Sequence, residues 1–192
     1  DKFVAVYLFP EKGRGVFVDV GANDGVTLSN TFFFEKLREV RKNAFCENLC
    51  VSDTEGILDF ARVGDDESDM LSGIVETMDK RHHRRIEKEK GQIEILRIPS
   101  LRLQTLLEKY ALCHVDFLSI DTEGSELDVL RSLDFEKTRV GVICVENNNG
   151  RKDVRKYLEQ LGFVYYVTLG DLDDLYVFPS LFPELAMESG NC

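Results

Sequence analysis

Hydrophobic residues fall along this chain in short bursts. Gly15-Val16-Phe17-Val18-Asp19-Val20 stops at Gly21, Val115-Asp116-Phe117-Leu118-Ser119-Ile120 stops at Asp121, and Val140 to Val145 stops at Glu146. Continuous apolar runs of this length suit strands buried on both faces of a parallel sheet. Ala44 to Val51 and Ile57 to Val63 read as two more strands, joined by the turn Asp53-Thr54-Glu55-Gly56. Ile93 to Ile98 alternates in the manner of an edge strand. Helical spacing runs over Leu28 to Arg41, Leu101 to Tyr110, Ser125 to Leu133 and Asp153 to Leu161. Thr27 or Ser29 caps the first of these and Ser100 the second, while Gly162 ends the last. In Ser125 to Leu133, Leu127 and Leu130 face inward. Phe163 to Val167 and Leu172 to Phe178 read as an antiparallel hairpin across a Gly-Asp turn.

Strands alternating with helices predict an α/β fold: an open, mostly parallel sheet covered by helices on both faces. With no repeat and no low-complexity linker, the expectation is one domain over residues 1–192. Ligands of such sheets sit at the carboxyl ends of the strands. Attention therefore goes to the polar residues directly after strands: Asp19 to Gly25, Asp53, Asp121 to Gly124, and Glu146 to Asn149.

Composition narrows the function classes. The chain has 192 residues, 43% hydrophobic and 31% charged, enough to bury a core and too apolar for disorder. No apolar run approaches the ~18 residues of a membrane span. A formal net charge of -11 repels phosphate backbones and disfavours general nucleic-acid binding. The five cysteines are odd in number and form no C-x-x-C. Cys46, Cys113 and Cys144 lie in or beside apolar runs, where free thiols behave as small hydrophobes. That usage predicts a reducing, cytoplasmic setting without a disulfide framework. Three histidines outside any Cys/His cluster give no structural zinc site.

The first turn is Asp19-Val20-Gly21-Ala22-Asn23-Asp24-Gly25. Gly21 and Gly25 allow a tight turn and close backbone approach to a ligand. Dinucleotide binding needs G-x-G-x-x-G, whose spacing fails here because Asn23 stands at the second glycine. Asp19 would also face the diphosphate. A nicotinamide oxidoreductase is disfavoured accordingly. A carboxylate beside an amide suits a ligand with a cationic amino group, a demand S-adenosylmethionine meets. The other reading is a plain tight turn between strand and helix.

The sequence resembles the FkbM family of class I methyltransferases. The matching residues are Phe17 to Gly25, Thr27-Leu28-Ser29-Asn30-Thr31, Val51-Ser52-Asp53 with Gly56, Ser72-Gly73-Ile74, Asp116 to Glu126, and Val145-Glu146-Asn147. The resemblance implies a Rossmann-like sheet with an antiparallel C-terminal strand. It also implies S-adenosylmethionine as cofactor and methyl transfer to an oxygen of a sugar, glycan or small metabolite. By the same resemblance Asp19, Gly21, Ala22, Asn23, Gly25, Asn30, Asp53 and Asp121 bind the cofactor, and Glu123, Gly124 and Glu126 form the signature after the fourth strand. One departure is plain. Phe34-Glu35-Lys36 runs straight into Leu37-Arg38-Glu39, about fifteen residues short of a normal βα unit with its loops. The expectation is a domain lacking a segment between Lys36 and Leu37, and an N-terminal extension. Loss of that strand would remove the acid that holds the ribose, and neither Glu35 nor Glu47 is assigned to replace it.

Methyl transfer from a sulfonium needs alignment and a base for the acceptor hydroxyl. Asp121 and Glu146, at the ends of strands expected to be neighbours, are the catalytic candidates. With Asn147 they also make an oxygen-rich set for Mg²⁺, by analogy with catechol-type O-methyltransferases. The alternative is that these acids cap helices or brace the cofactor loop. His114 reads as structural. The basic run from Lys80 to Lys90, with His82 and His83, is either a solvated helix or a lid for an anionic acceptor. Phe32-Phe33-Phe34 reads as core. Two functions follow: an S-adenosylmethionine-dependent O-methyltransferase, or a decayed binding module on the same fold. Acceptor and oligomeric state are not set by the sequence.

Overall fold

The computed structural model describes residues 8–9, 15–21, 45, 47–64, 71–78, 84, 86, 88, 92–147, 152–170 and 172–182. In chain order its strands are β1 (Phe17–Val20), β2 (Cys50–Val51), β3 (Gly56–Gly64), β4 (Gly73–Ile74), β5 (Gln92–Leu101), β6 (His114–Ile120), β7 (Arg139–Glu146), β8 (Val164–Leu169) and β9 (Asp173–Val177). The helices are α1 (Leu103–Lys109), α2 (Glu126–Arg131) and α3 (Lys152–Gln160). The chain is thus mixed α/β, with a sheet that contains parallel strands. Two compact units divide it: Asp1–Phe45, Cys113–Asp121 and Phe135–Cys192 form one, Cys46–Leu112 and Thr122–Asp134 the other.

The first unit holds a five-stranded sheet in the order β1-β6-β7-β9-β8. β1, β6 and β7 run parallel, which is why their sequences are apolar without interruption. β9 enters antiparallel between β7 and β8, so the expected terminal hairpin is present and completes the sheet. One face carries the cluster Leu8, Phe117, Val142, Cys144, Leu175 and Val177. Alternation puts Leu118, Ile120, Ile143, Val145 and Tyr176 on the other face, and all are buried. The amino end is stitched by Asp116, whose Oδ2 accepts the Val16 N–H at 2.8 Å. His114 Nε2 lies 2.5 Å from its Oδ1, the structural role expected of that histidine. α3 packs beside β8 and buries Val154 and Leu158. Gly162 follows it with φ +91°, a left-handed position at the helix end that favours glycine.

The second unit holds a sheet in the order β2-β5-β3-β4. β3 and β5 pair antiparallel from Gly56↔Ser100 to Gly64↔Gln92. Its core is Ala61, Val63, Leu71, Met78 and Ile86. Among the described residues Ile93 to Ile98 pairs on one side only, with β3, as an edge stretch does, and β2 joins β5 further along, at Ser100 and Leu101. Two expectations are corrected here. Ser100 does not cap a helix: it sits in β5 and its hydroxyl donates to Thr54 O at 2.8 Å. The helix starts later, at Leu103, whose N–H goes to Ser132 Oγ at 2.9 Å. Of Ala44 to Val51 only Cys50–Val51 is strand among the described residues.

The helix over Leu28 to Arg41, Phe32-Phe33-Phe34, the Lys36–Leu37 junction, His82 and His83 lie outside the described residues. From the basic run, Arg84 and Lys88 are helical and exposed, and Ile86 is helical and buried. Cys50, Cys113 and Cys144 are free thiols. Cys113 is exposed, against the expectation of a buried small hydrophobe. Among the described residues no helix is long and apolar enough to cross a membrane.

Candidate functional site

The carboxyl edge of the first unit's sheet gathers the acids that the sequence singled out. Register aligns Asp19 with Ser119, Ser119 with Cys144, and Cys144 with Leu175. Two residues further along, Glu146 of β7 faces Asp173 of β9. Asp121 follows β6, its N–H donated to Val20 O at 2.9 Å. Side chains alternate along a strand, so Asp19, Ser119, Asp121, Cys144, Glu146 and Asp173 share one face. That face is apolar in its middle and acidic at its rim.

The electrostatics support one shared neighbourhood. Burial first, and then the negative charges of Asp173, Asp121 and Asp19, push the Cys144 thiol up to about 12. Three acids from three strands thus act on one interior sulfur. Asp173 itself is raised above the usual carboxylate range, first by burial and then by its neighbour Asp174. Acids gathered in a partly buried place favour a cation or a proton.

Gly21 has φ +91°, and a Cβ built there would stand 1.6 Å from the Asp121 carbonyl oxygen. The glycine is therefore required by the β1–β6 packing itself. Close approach to a ligand is not needed to explain it.

Ser119 has 0% exposure, and among the described residues its hydroxyl has no hydrogen-bond partner. Buried polar groups are nearly always paired, so this orphan marks the rim as incomplete. It is the observation on which a polar, cationic ligand fits the donor set.

Asn147 is held from two sides. Its N–H donates to Leu172 O at 2.7 Å, and its side-chain Nδ2 donates to Asp174 Oδ2, also at 2.7 Å. Asp174 is buried at 7% exposure and takes the Thr168 hydroxyl on Oδ1 at 2.6 Å. Because Thr168 spends its proton there, the Tyr165 hydroxyl, 2.7 Å away, donates to Thr168. This network ties the end of β7 to the β8–β9 hairpin. Sequence reasoning missed Ser119, Asp173 and Asp174 as site residues. The available signal was the acid pair directly before Leu175-Tyr176-Val177.

The remaining candidates fall elsewhere. Asp53 is exposed in the second unit, with Oδ1 accepting the Thr54 hydroxyl at 3.2 Å. Glu47 accepts from Lys109 and Tyr110, which hold its carboxyl below the usual range. Glu126 is buried at 3% exposure. Its Oε1 accepts the N–H groups of Gly124 at 2.8 Å and Thr122 at 3.3 Å, and the Thr122 hydroxyl at 3.2 Å. It braces the turn before α2, in which Glu123 and Gly124 take positive φ. Ala22, Asn23, Gly25 and Asn30 lie outside the described residues. Among the described residues no three His, Cys, Asp or Glu side chains gather as a metal site.

Polar residues past the carboxyl ends of parallel strands stand where α/β sheets receive ligands. A family model described as the methyltransferase FkbM domain matches residues 19–165, most of the chain, so the chain belongs to the FkbM methyltransferase family. No curated protein and no solved structure matches it.

Proposed function

We propose that this chain is an S-adenosylmethionine-dependent O-methyltransferase acting on a hydroxyl of a sugar, glycan or small metabolite. The observation that carries the reading is the convergence of Asp19, Asp121, Glu146 and Asp173 at one edge of the sheet in a member of a methyltransferase family. We read the five-stranded sheet as the core of a Rossmann-like domain with helices on both faces, spanning 1–192. The free thiols suit a reducing, cytoplasmic setting.

When bound, S-adenosylmethionine supplies a methyl group on a cationic sulfur. In this reading Asp19 and Asp121 hold its positive end, and Gly21 keeps β1 and β6 close enough for both acids to serve it. Ala22, Asn23, Gly25, Asn30 and Asp53 join them by resemblance. Asp121 and Glu146 orient the acceptor hydroxyl, and one of them takes its proton, a role that contributes about 10²–10⁴-fold when the base is well placed. Orientation of donor and acceptor contributes more, about 7–11 kcal/mol in ideal cases. Asp174 serves this end of the sheet by keeping Asn147 fixed.

Mg²⁺ on Asp121, Glu146 and Asn147 fits less well. The Asn147 side chain bonds Asp174, which alternation puts on the face opposite Asp121 and Glu146. No step is assigned to a metal. Calorimetric titration with S-adenosylhomocysteine tests the reading. A saturable heat is expected. Silence at millimolar ligand would leave the decayed binding module in its place.

A further inference from the structure

We propose that Ser119 is a binding residue for the donor's amino-acid head group. The inference rests on the cofactor reading above and extends it to a residue inside the sheet. Ser119 lies between Asp19 and Cys144 in register, on the same face as Asp121, Glu146 and Asp173. It is fully buried, and its hydroxyl has no partner among the described residues. A hydroxyl in that position is a cost to the ligand-free fold, since a buried polar group without a bond keeps its whole desolvation penalty. Alanine would fill the same place in the row Asp19–Ser119–Cys144–Leu175. No member of that row takes its hydrogen bond. Cys144 stays a neutral thiol because burial and the surrounding acids raise it to about 12. No described residue completes the hydroxyl, and a group arriving over the acidic rim would do so. An ammonium group is drawn there by Asp19 and Asp121 and has N–H groups to donate. Ser119 Oγ accepts one of them.

The test compares wild type with Ser119→Ala and with Ser119→Cys, which keeps nearly the same volume but bonds weakly. Thermal melts without ligand and calorimetry with S-adenosylhomocysteine are measured on each. The expected result is a ligand-free Tm for Ser119→Ala about 2–4 °C above wild type. Affinity for S-adenosylhomocysteine should fall about tenfold in both variants, the loss of one modest hydrogen bond. Wild-type binding with both variants within about twofold of it overturns the proposal and leaves the cofactor reading intact. A lowered Tm in Ser119→Ala also overturns it, because the hydroxyl would then already be satisfied. A wild type that does not bind S-adenosylhomocysteine removes this proposal and the cofactor reading together.

Discussion

Ser132 and Ser119 are both fully buried, one in each unit, and the fold treats them differently. Ser132 Oγ accepts the Leu103 N–H at 2.9 Å and donates to Val129 O at 2.6 Å, joining the start of α1 to the end of α2. Ser119 makes neither kind of bond among the described residues. The carboxylates repeat the contrast. Glu126 in the second unit collects three donors. Asp173 in the first sits half-buried beside Asp174 and is raised above the ordinary range. The second unit spends its buried polar groups on holding turns. The first leaves the Ser119 hydroxyl without a described partner, near the edge where α/β sheets receive ligands. Such local costs are expected where function competes with stability.

The largest expected effect tests how tight the rim's backbone is. Gly21→Val places a side chain on the Asp121 carbonyl oxygen at a positive-φ position. We expect no cooperative melt by circular dichroism, and a folded variant with normal Tm would mean that β1 and β6 are not packed this way. Next comes the satisfied serine. Ser132→Ala orphans the Leu103 N–H and should cost about 1–3 kcal/mol, read as a fall in Tm of several degrees. A neutral result would erase the contrast with Ser119.

Asp173→Asn should have the smallest effect and the opposite sign. The folded-state pKa of Asp173 lies above its unfolded value, so folding favours the protonated form. The associated stability is present below the unfolded pKa and is lost as pH rises through the carboxylate range. At neutral pH the substitution should therefore raise Tm by about 1–2 °C, with no gain well below pH 4. Equal gains at both pH values would show that charge is not the cause.

Much of this was legible in the sequence because the first unit's strands are continuous apolar runs. Val115 to Ile120 and Val140 to Val145 announce buried parallel strands, and the acids that end them mark the rim. The second unit was harder to read. β2 and β4 have two residues each and exist only through pairing, which no periodicity encodes. Ser100 precedes a helical pattern and reads as a cap, yet the strand pairing with Gly56 claims it. Asp173 and Asp174 stand beside a turn, where acids carry no distinctive signal. Only the register against Glu146 and Val145 reveals their place. Ser119 is one hydroxyl in an apolar run, and its lack of a partner is a property of three dimensions.

In the proposed function the negative rim of the first unit holds the positive end of the donor. Titrating S-adenosylhomocysteine into wild type and Asp19→Asn at low salt measures that grip. Saturable binding to wild type is expected, weakened about 30-fold or more by the neutral amide, with Tm unchanged or higher. Equal affinity in the two proteins, or tighter binding of an inorganic diphosphate than of S-adenosylhomocysteine, would contradict it.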